Sequence, residues 1–150
     1  RIEALEQSAY AAIEYCVWAR LKREKGDTDR SAEFEVAGTK WRARVCPGGH
    51  ATSMDGWVGT FAECTHCEGE VEARYLFRFL DLDGKEHERV YSTETFKPGQ
   101  KWGYINAFQR ATADAAAQSS AHGVVVFELT ITVVTESRSD VPPRAVGRPP

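Results

Sequence analysis

The segment CTHC, residues 64–67, is the part of this 150-residue sequence whose residue types and spacing come closest to a chemical site. Two thiolates at this spacing can chelate one zinc ion, and CPGGH, residues 46–50, holds the cysteine and histidine that would complete a four-ligand set. The other interpretation is that Cys64 ends a strand and residues 65–69 form the next turn. We favour the turn, because structural zinc sites usually combine two such knuckles, and we predict no metal and no cofactor.

The other residues with reactive side chains do not form a catalytic set. No phosphate-binding glycine loop, nucleophile elbow or pair of histidines on one helix face is present. A thioredoxin-like role for CTHC would need a helix start within a βαβ pattern, which the sequence lacks. The histidines fall in or beside predicted turns, so we expect solvent-exposed loop residues at His50, His66, His87 and His122. We therefore predict that the chain is not an enzyme.

The composition excludes several classes of partner. The net charge of -3 and the pI near 5.8 arise from mixed charges, without a basic stripe that would bind nucleic acid or an anionic membrane. No apolar run approaches the length of a membrane span, and the polar start does not resemble a signal peptide. The few, irregularly spaced cysteines favour an intracellular location, in the nucleus or cytoplasm. Because the first residue is Arg1, we expect a piece of a longer protein.

Alternation of apolar and polar residues is the dominant pattern. In VEARYLFRFLD, residues 71–81, every second residue from Val71 to Phe79 is apolar, which is typical of a half-buried strand. Asp83 and Gly84 then supply the turn chemistry of a hairpin. The same pattern predicts further strands at residues 33–36, 40–45 and 124–134, and weaker ones at residues 8–15, 56–64 and 88–95.

These strands predict an all-β fold, an antiparallel β-sandwich of about eight strands with one or two short helical or loop insertions. RIEALEQSA, residues 1–9, and AFQRATADAAAQSS, residues 107–120, are rich in Ala, Gln and Glu and predict short helices or a covering loop. We predict an N-terminal extension at residues 1–9, one domain at residues 10–135, and a Pro/Arg-rich linker at residues 136–150 that leads to a further domain.

The segment PGQKWGYINAF, residues 98–108, places three aromatic residues directly behind a Pro-Gly turn signal. Aromatic residues in such a place either close the end of a core or present a surface to a ligand. For Trp102 both interpretations can hold, and for Tyr75 core packing and ligand contact stay open. Alternation assigns to the core Trp41, Phe77, Phe79, Phe127 and Leu129.

The order of these segments resembles the MATH (meprin and TRAF homology) domain over residues 10–134. The most specific shared segments are KWRARVCPGG, the hairpin VEARYLFRFLDLDGKE and WGY, which begins at Trp102. The resemblance implies an eight-stranded antiparallel β-sandwich, which agrees with the fold predicted from alternation.

Within the family, the chain is most similar to the MATH–BTB ubiquitin-ligase adaptors, because SDVPPRAVGRPP stands where their linker to the BTB domain lies. This implies a non-catalytic module that binds extended peptide segments of substrate proteins. A BTB domain outside this chain would recruit them to a cullin-RING E3 ubiquitin ligase. Two alternatives stay open, a TRAF-type trimeric signalling adaptor domain that binds receptor tails and the MATH module of a deubiquitinase.

The resemblance also implies a peptide-binding groove. Its aromatic lining matches Phe61 and Tyr75, and its clamping loop matches Gln100, Lys101, Trp102, Gly103 and Tyr104. At Gly103 the missing Cβ would let ligand backbone approach closely.

One groove position departs from the family pattern. Glu94 stands where the best-known substrate receptors of this type carry a tyrosine. We expect a carboxylate there to favour a basic or hydrogen-bond-donating ligand residue over a small hydroxyl-bearing one.

Overall fold

The structure, a computed structural model, describes residues 2–138. Its elements in chain order are β1 (Ile2–Tyr15), α1 (Val17–Arg20), β2 (Asp29–Arg30), β3 (Phe34–Val36), β4 (Thr39–Cys46), β5 (Trp57–His66), β6 (Val71–Asp81), β7 (Glu86–Phe96), β8 (Lys101–Gln109), α2 (Arg110–Ser119) and β9 (Val125–Arg138).

The strands form two antiparallel sheets that pack as a sandwich. Sheet A has the strand order β1-β9-β6-β7, and sheet B has the order β2-β4-β5-β8, with β3 paired to β4. The predicted fold class is confirmed, and so are the strands predicted from alternation. The described strands exceed the expected eight because β2, which has two residues, adds a short pairing to β4.

The core lies between the sheets and is rich in aromatic rings. Phe127 of β9 packs against Phe79 of β6 and Phe108 of β8, with ring centroids 5.3 and 5.4 Å apart. Trp41 meets Phe96 edge-on at 4.7 Å. The five residues that alternation assigned to the core are fully buried, which confirms that prediction: Trp41, Phe77, Phe79, Phe127 and Leu129.

The expectation of a helix or loop at residues 1–9 is wrong. Residues 2–9 belong to β1, which pairs with β9 along its whole length, from Ile2 opposite Arg138 to Tyr15 opposite Val125. Main-chain pairing with a long neighbouring strand outweighs the modest helix propensity of Ala, Glu and Gln. Within residues 107–120 the helical alternative is confirmed from Arg110 by α2, whose small residues Ala113, Ala116 and Ala117 are buried. Residues 107–109 belong to β8 instead.

The chain ends are described only in part. The residues 136–138, predicted as the start of the linker, continue β9. The rest of the linker prediction lies outside the described residues, and the domain boundaries stay predictions.

Residues 101–104 do not form the clamping loop that the resemblance implied. They begin the strand β8, and only Gln100 belongs to the preceding turn, in which its backbone N–H donates to the carbonyl oxygen of Lys97 at 3.0 Å. The turn signal of Pro98 and Gly99 is genuine, but the pairing of β8 with β5 starts directly behind it.

Candidate functional site

The turn between β7 and β8 connects the edges of the two sheets, because β7 is an edge strand of sheet A and β8 is an edge strand of sheet B. A bulge at Gly99 starts β8. The backbone N–H of Gly99, with φ at +81°, donates to the carbonyl oxygen of Cys64 at 2.7 Å, and the N–H of Cys64 donates to the carbonyl oxygen of Gln100 at 3.0 Å. This is the geometry of a bulge whose first residue must be left-handed, which explains the glycine.

This bulge sets which main-chain groups of β8 are available to a ligand. Since Gln100 bonds to β5, the alternation of an antiparallel ladder turns the N–H and C=O of Trp102 to β5 as well. The N–H and C=O of Lys101 and Gly103 then point away from sheet B. Among residues 2–138 no strand pairs with that side of β8.

Two aromatic side chains of β8 cross from sheet B to the edge of sheet A. The indole Nε1 of Trp102 donates to the carbonyl oxygen of Thr95 at 3.1 Å, and the hydroxyl of Tyr104 donates to the main-chain carbonyl oxygen of Tyr91 at 2.8 Å. The two rings remain 38% and 37% exposed. These hydrogen bonds hold both rings in place while each keeps a surface open to solvent.

Tyr75 of β6 lies beside the Tyr104 ring and is 2% exposed. Its ring centroid is 6.3 Å from those of Tyr104 and Phe96, and it faces Ser92 across the strand pair. Burial raises the pKa of Tyr75 to about 12, and the nearby Tyr104 and Glu94 add to the shift. The phenol therefore stays neutral at physiological pH, and core packing accounts for most of its surface.

Glu94 of β7 is half-buried beside this group. Its Oε2 accepts a hydrogen bond from the Ser92 hydroxyl at 3.0 Å. No basic side chain among those described forms an ion pair with it. We call Tyr75, Ser92, Glu94, Trp102 and Tyr104 together the aromatic edge.

Gly103 is required by the neighbouring strand. A Cβ added there would lie 2.0 Å from the carbonyl oxygen of Thr60 and 2.6 Å from the Cα of Phe61. The space that a side chain would need is therefore filled by β5, and closeness to a ligand is not needed to explain the glycine.

The structure does not bring Phe61 to the aromatic edge. Phe61 is the register partner of Gly103, so its side chain lies on the outer face of sheet B, opposite to the side chains of Trp102 and Tyr104. It is 7% exposed, because the ammonium group of Lys101 lies 4.9 Å from its ring centroid and the ring of His50 lies 5.2 Å away. Lys101 is consequently held on the same outer face.

Sequence reasoning missed three residues of this region. The carbonyl groups of Tyr91 and Thr95 accept the bonds from the two rings, and Ser92 supports Glu94. The alternation of VYSTETF, residues 90–96, does indicate a strand in which every second side chain is directed inward. Which strand would lie beside β8 across the sandwich could not be read from that alternation.

The four cysteines are free thiols, and all but Cys16 are buried. Cys64 is fully buried and Cys67 is 5% exposed. Burial raises the pKa of the Cys64 thiol to about 12, with the neighbouring Cys67 adding to the shift. Within residues 2–138 no group of three or more His, Cys, Asp or Glu is placed to hold a metal ion.

The expectation of exposed loop histidines is wrong for two of the four. His87 lies in β7 and pairs through Nε2 with Asp81 Oδ1 at 2.8 Å, against the ring of Phe79. His50 is partly buried and contacts the Thr52 hydroxyl at 2.9 Å. Each ring also packs against a strand residue, since the His50 ring lies 5.2 Å from the ring of Phe61 in β5. His122 is exposed in a turn, as expected, whereas His66 is exposed but is the last residue of β5.

A surface depression of about 580 Å³ lies where β5 ends, at His66 and Cys67. It is lined by three glutamates and by no Phe, Tyr or Trp: Ala37, Gly38, Thr39, His66, Cys67, Glu68, Glu70, Val71, Glu72, Val133 and Val134. Aromatic anchors dominate protein recognition, so the aromatic edge is the better candidate. Neither helix of residues 2–138 has the length and apolar content that a membrane span requires.

Comparison with known proteins places the chain in a family. The family model for the MATH domain matches residues 17–118, more than half of the chain, and the two antiparallel sheets agree with that family's fold. A search of curated proteins gave no match. MATH domains are generally protein-interaction modules and are typically non-catalytic. The chain belongs to the MATH domain family.

Proposed function

We propose that this domain binds an extended peptide segment of a partner protein along the outer side of β8. One observation carries the proposal. The main chain of Lys101 and Gly103 faces outward on an edge strand, directly beside the half-exposed rings of Trp102 and Tyr104. In strand addition, main-chain bonds supply affinity and neighbouring side chains supply selectivity.

The aromatic residues support this proposal by their exposure and their rigidity. Trp102 and Tyr104 are fixed by hydrogen bonds to β7, so little conformational freedom is lost when a ligand covers them. Large rings that are partly exposed and held in place are typical of binding hot spots. Phe61 and the side chain of Lys101 lie on the other face, where they can contact only the alternate residues of an added strand.

Within the whole protein, we propose that the domain selects substrates for a cullin-RING ubiquitin ligase through a BTB domain outside this chain. The support is the sequence resemblance to the MATH–BTB adaptors, and an intracellular location follows from the same proposal. Co-purification of a cullin with the full-length protein, and its absence with residues 1–150 alone, is the expected result. Co-purification of a receptor tail with a trimer would instead favour the signalling adaptor.

Removing one main-chain N–H donor tests whether a peptide binds along the outer side of β8. Lys101→Pro removes an N–H that faces away from β5, so the pairing within sheet B is kept. Lys101→Ala is the matched control, because it removes the same side chain and keeps the N–H. The probe is a peptide selected against the domain from a random display library. We expect Lys101→Pro to weaken its binding by about 3- to 10-fold, as for the loss of one hydrogen bond. Lys101→Ala should weaken it by less than about twofold. Equal affinities for the two variants would contradict strand addition at this edge.

A further inference from the structure

The partly buried carboxylates of this domain are paired with basic side chains, with two exceptions. The paired groups are Asp29, Glu63, Asp81, Glu86, Asp114 and Glu128. The exceptions are Glu88 and Glu94, which belong to the same inward series of β7 and have no basic partner among the described side chains.

Glu94 differs from Glu88 in its surroundings. Trp102 hydrogen-bonds to the carbonyl group of Thr95, the residue next to Glu94, and the carboxylate acts electrostatically on Tyr75, whose ring adjoins Tyr104. Glu94 thus lies on β7 between Tyr91 and Thr95, whose carbonyl groups accept the hydrogen bonds of Tyr104 and Trp102. Glu88 lies six residues away along the strand, about 20 Å at the usual rise per residue.

The nearest basic residue of β8 cannot neutralise Glu94. The ammonium group of Lys101 lies over the ring of Phe61, on the outer face of sheet B. The only hydrogen bond given to the Glu94 carboxylate by a described side chain comes from Ser92. A peptide that covers the aromatic edge would therefore remove water from a carboxylate without a counter-charge, which is costly unless the peptide supplies one.

We infer that Glu94 makes the aromatic edge selective for a peptide with a lysine or arginine at the residue that faces Trp102 and Tyr104. This inference rests on the proposed function and deepens it. The cation pairs with the carboxylate, and the faces of the flanking rings attract the same charge. A neutral side chain is disfavoured because it leaves Glu94 desolvated and unpaired, so discrimination comes from a penalty as well as from an attraction.

A display experiment tests the inference separately from the proposed function. A random heptapeptide library is selected against wild type, Trp102→Ala, Glu94→Gln and Glu88→Gln. We expect wild type and Glu88→Gln to enrich peptides with Lys or Arg at one central position. Glu94→Gln should still enrich peptides, but the share of Lys or Arg at that position should fall by about tenfold. Glu88→Gln is the matched control, since it removes the other unpaired carboxylate of the same strand.

One selected peptide then gives the effect in solution. Replacing its central Arg by norleucine should weaken binding to wild type by about tenfold and to Glu94→Gln by less than about twofold, measured by titration calorimetry on variants whose thermal unfolding matches that of wild type.

The outcomes separate the two proposals. Two results would overturn the role of Glu94 without contradicting peptide binding along β8. The first is enrichment that depends on Trp102 but shows no preference for Lys or Arg. The second is a preference for Lys or Arg that is unchanged in Glu94→Gln. A library that gives no enrichment dependent on Trp102 overturns the proposed function, and the inference with it.

Discussion

The two halves of β8 carry aromatic residues of similar size in opposite situations. Phe108, near the end of the strand, is fully buried against Phe79 and Phe127, whereas Trp102, near its start, is 38% exposed. Between them the register with β5 shifts, so that the three residues 105–107 lie opposite Gly59 alone. The same strand therefore contributes to the core at one end and leaves the core at the other.

The difference shows that aromatic content alone does not mark a core. The buried half of β8 lies where sheet A covers it with β6 and β9. At the exposed half, β8 faces the edge strand β7, which has no further strand beside it among residues 2–138. There the rings are fixed by single hydrogen bonds to carbonyl groups, and the rest of their surface is left for another molecule.

The largest expected effect is the loss of stability on truncation in the buried half. Phe108→Ala removes a ring that packs between Phe79 and Phe127, and the cavity should lower the free energy of unfolding by about 3–5 kcal/mol. Urea denaturation followed by circular dichroism measures this. Peptide affinity per folded molecule should stay within about twofold of wild type, and a large loss of affinity would show that the two halves do not act separately.

A second prediction concerns the position between the two rings. Gly103→Ala forces a Cβ against the backbone of Thr60 and Phe61, so we expect a loss of about 1–3 kcal/mol of stability and a loss of peptide binding as β8 moves. Lys101→Ala, on the same face of the same strand, is the control and should change stability by less than about 0.5 kcal/mol. Wild-type stability in Gly103→Ala would mean that β5 and β8 are not as close as described.

Truncation in the exposed half should act on binding more than on stability. Trp102→Ala should weaken the affinity for a selected peptide by about 2 kcal/mol, near 30-fold, as for a hot-spot residue. Trp102→Phe keeps a ring but loses the hydrogen bond to Thr95, and should fall between wild type and the alanine variant. Calorimetric titration gives the affinities. If Trp102→Ala destabilised the fold as much as Phe108→Ala, the ring would belong to the core.

The smallest expected effect is on the pH dependence of stability, through Tyr75, the buried ring that adjoins the exposed Tyr104. Because the pKa of Tyr75 is raised to about 12, the unfolded chain loses the phenolic proton first as the pH rises above 10. The stability that Tyr75 contributes is present below pH 10 and is lost between pH 10 and 12, by about 1 kcal/mol at pH 11. Denaturation at pH 8 and pH 11 should therefore show a smaller fall for Tyr75→Phe than for wild type. Identical pH dependence would contradict the burial of this phenol.

Much of the fold was accessible from the sequence because a sandwich repeats one simple signal. In VEARYLFRFLD the inward residues from Ala73 to Phe79 are buried in the structure, and Val71 is partly buried. The first nine residues gave no such signal, since their strand exists through pairing with β9 and not through its own pattern. The start of β8 was obscured by Pro98 and Gly99, whose turn chemistry extends only as far as Gln100.

The sequence predicted only part of the candidate site. The family resemblance assigned Tyr75, Glu94, Trp102 and Tyr104 to one site, and the structure places these residues in one region. It could not fix the side of the sheet on which Phe61 lies, because a shift of one residue in a strand reverses the face. The acceptors at Tyr91 and Thr95 are main-chain groups, which no side-chain pattern can indicate.

The most direct test of the central claim is amide hydrogen exchange at β8, measured by NMR with and without a saturating peptide from the display library. Strand addition predicts that exchange at the amides of Lys101 and Gly103 slows by tenfold or more, while the amide of Trp102, already directed to β5, changes little. Unchanged exchange at Lys101 and Gly103, together with slowed exchange along β1, would contradict strand addition at β8. It would indicate that the peptide binds at β1, on the other side of the sandwich.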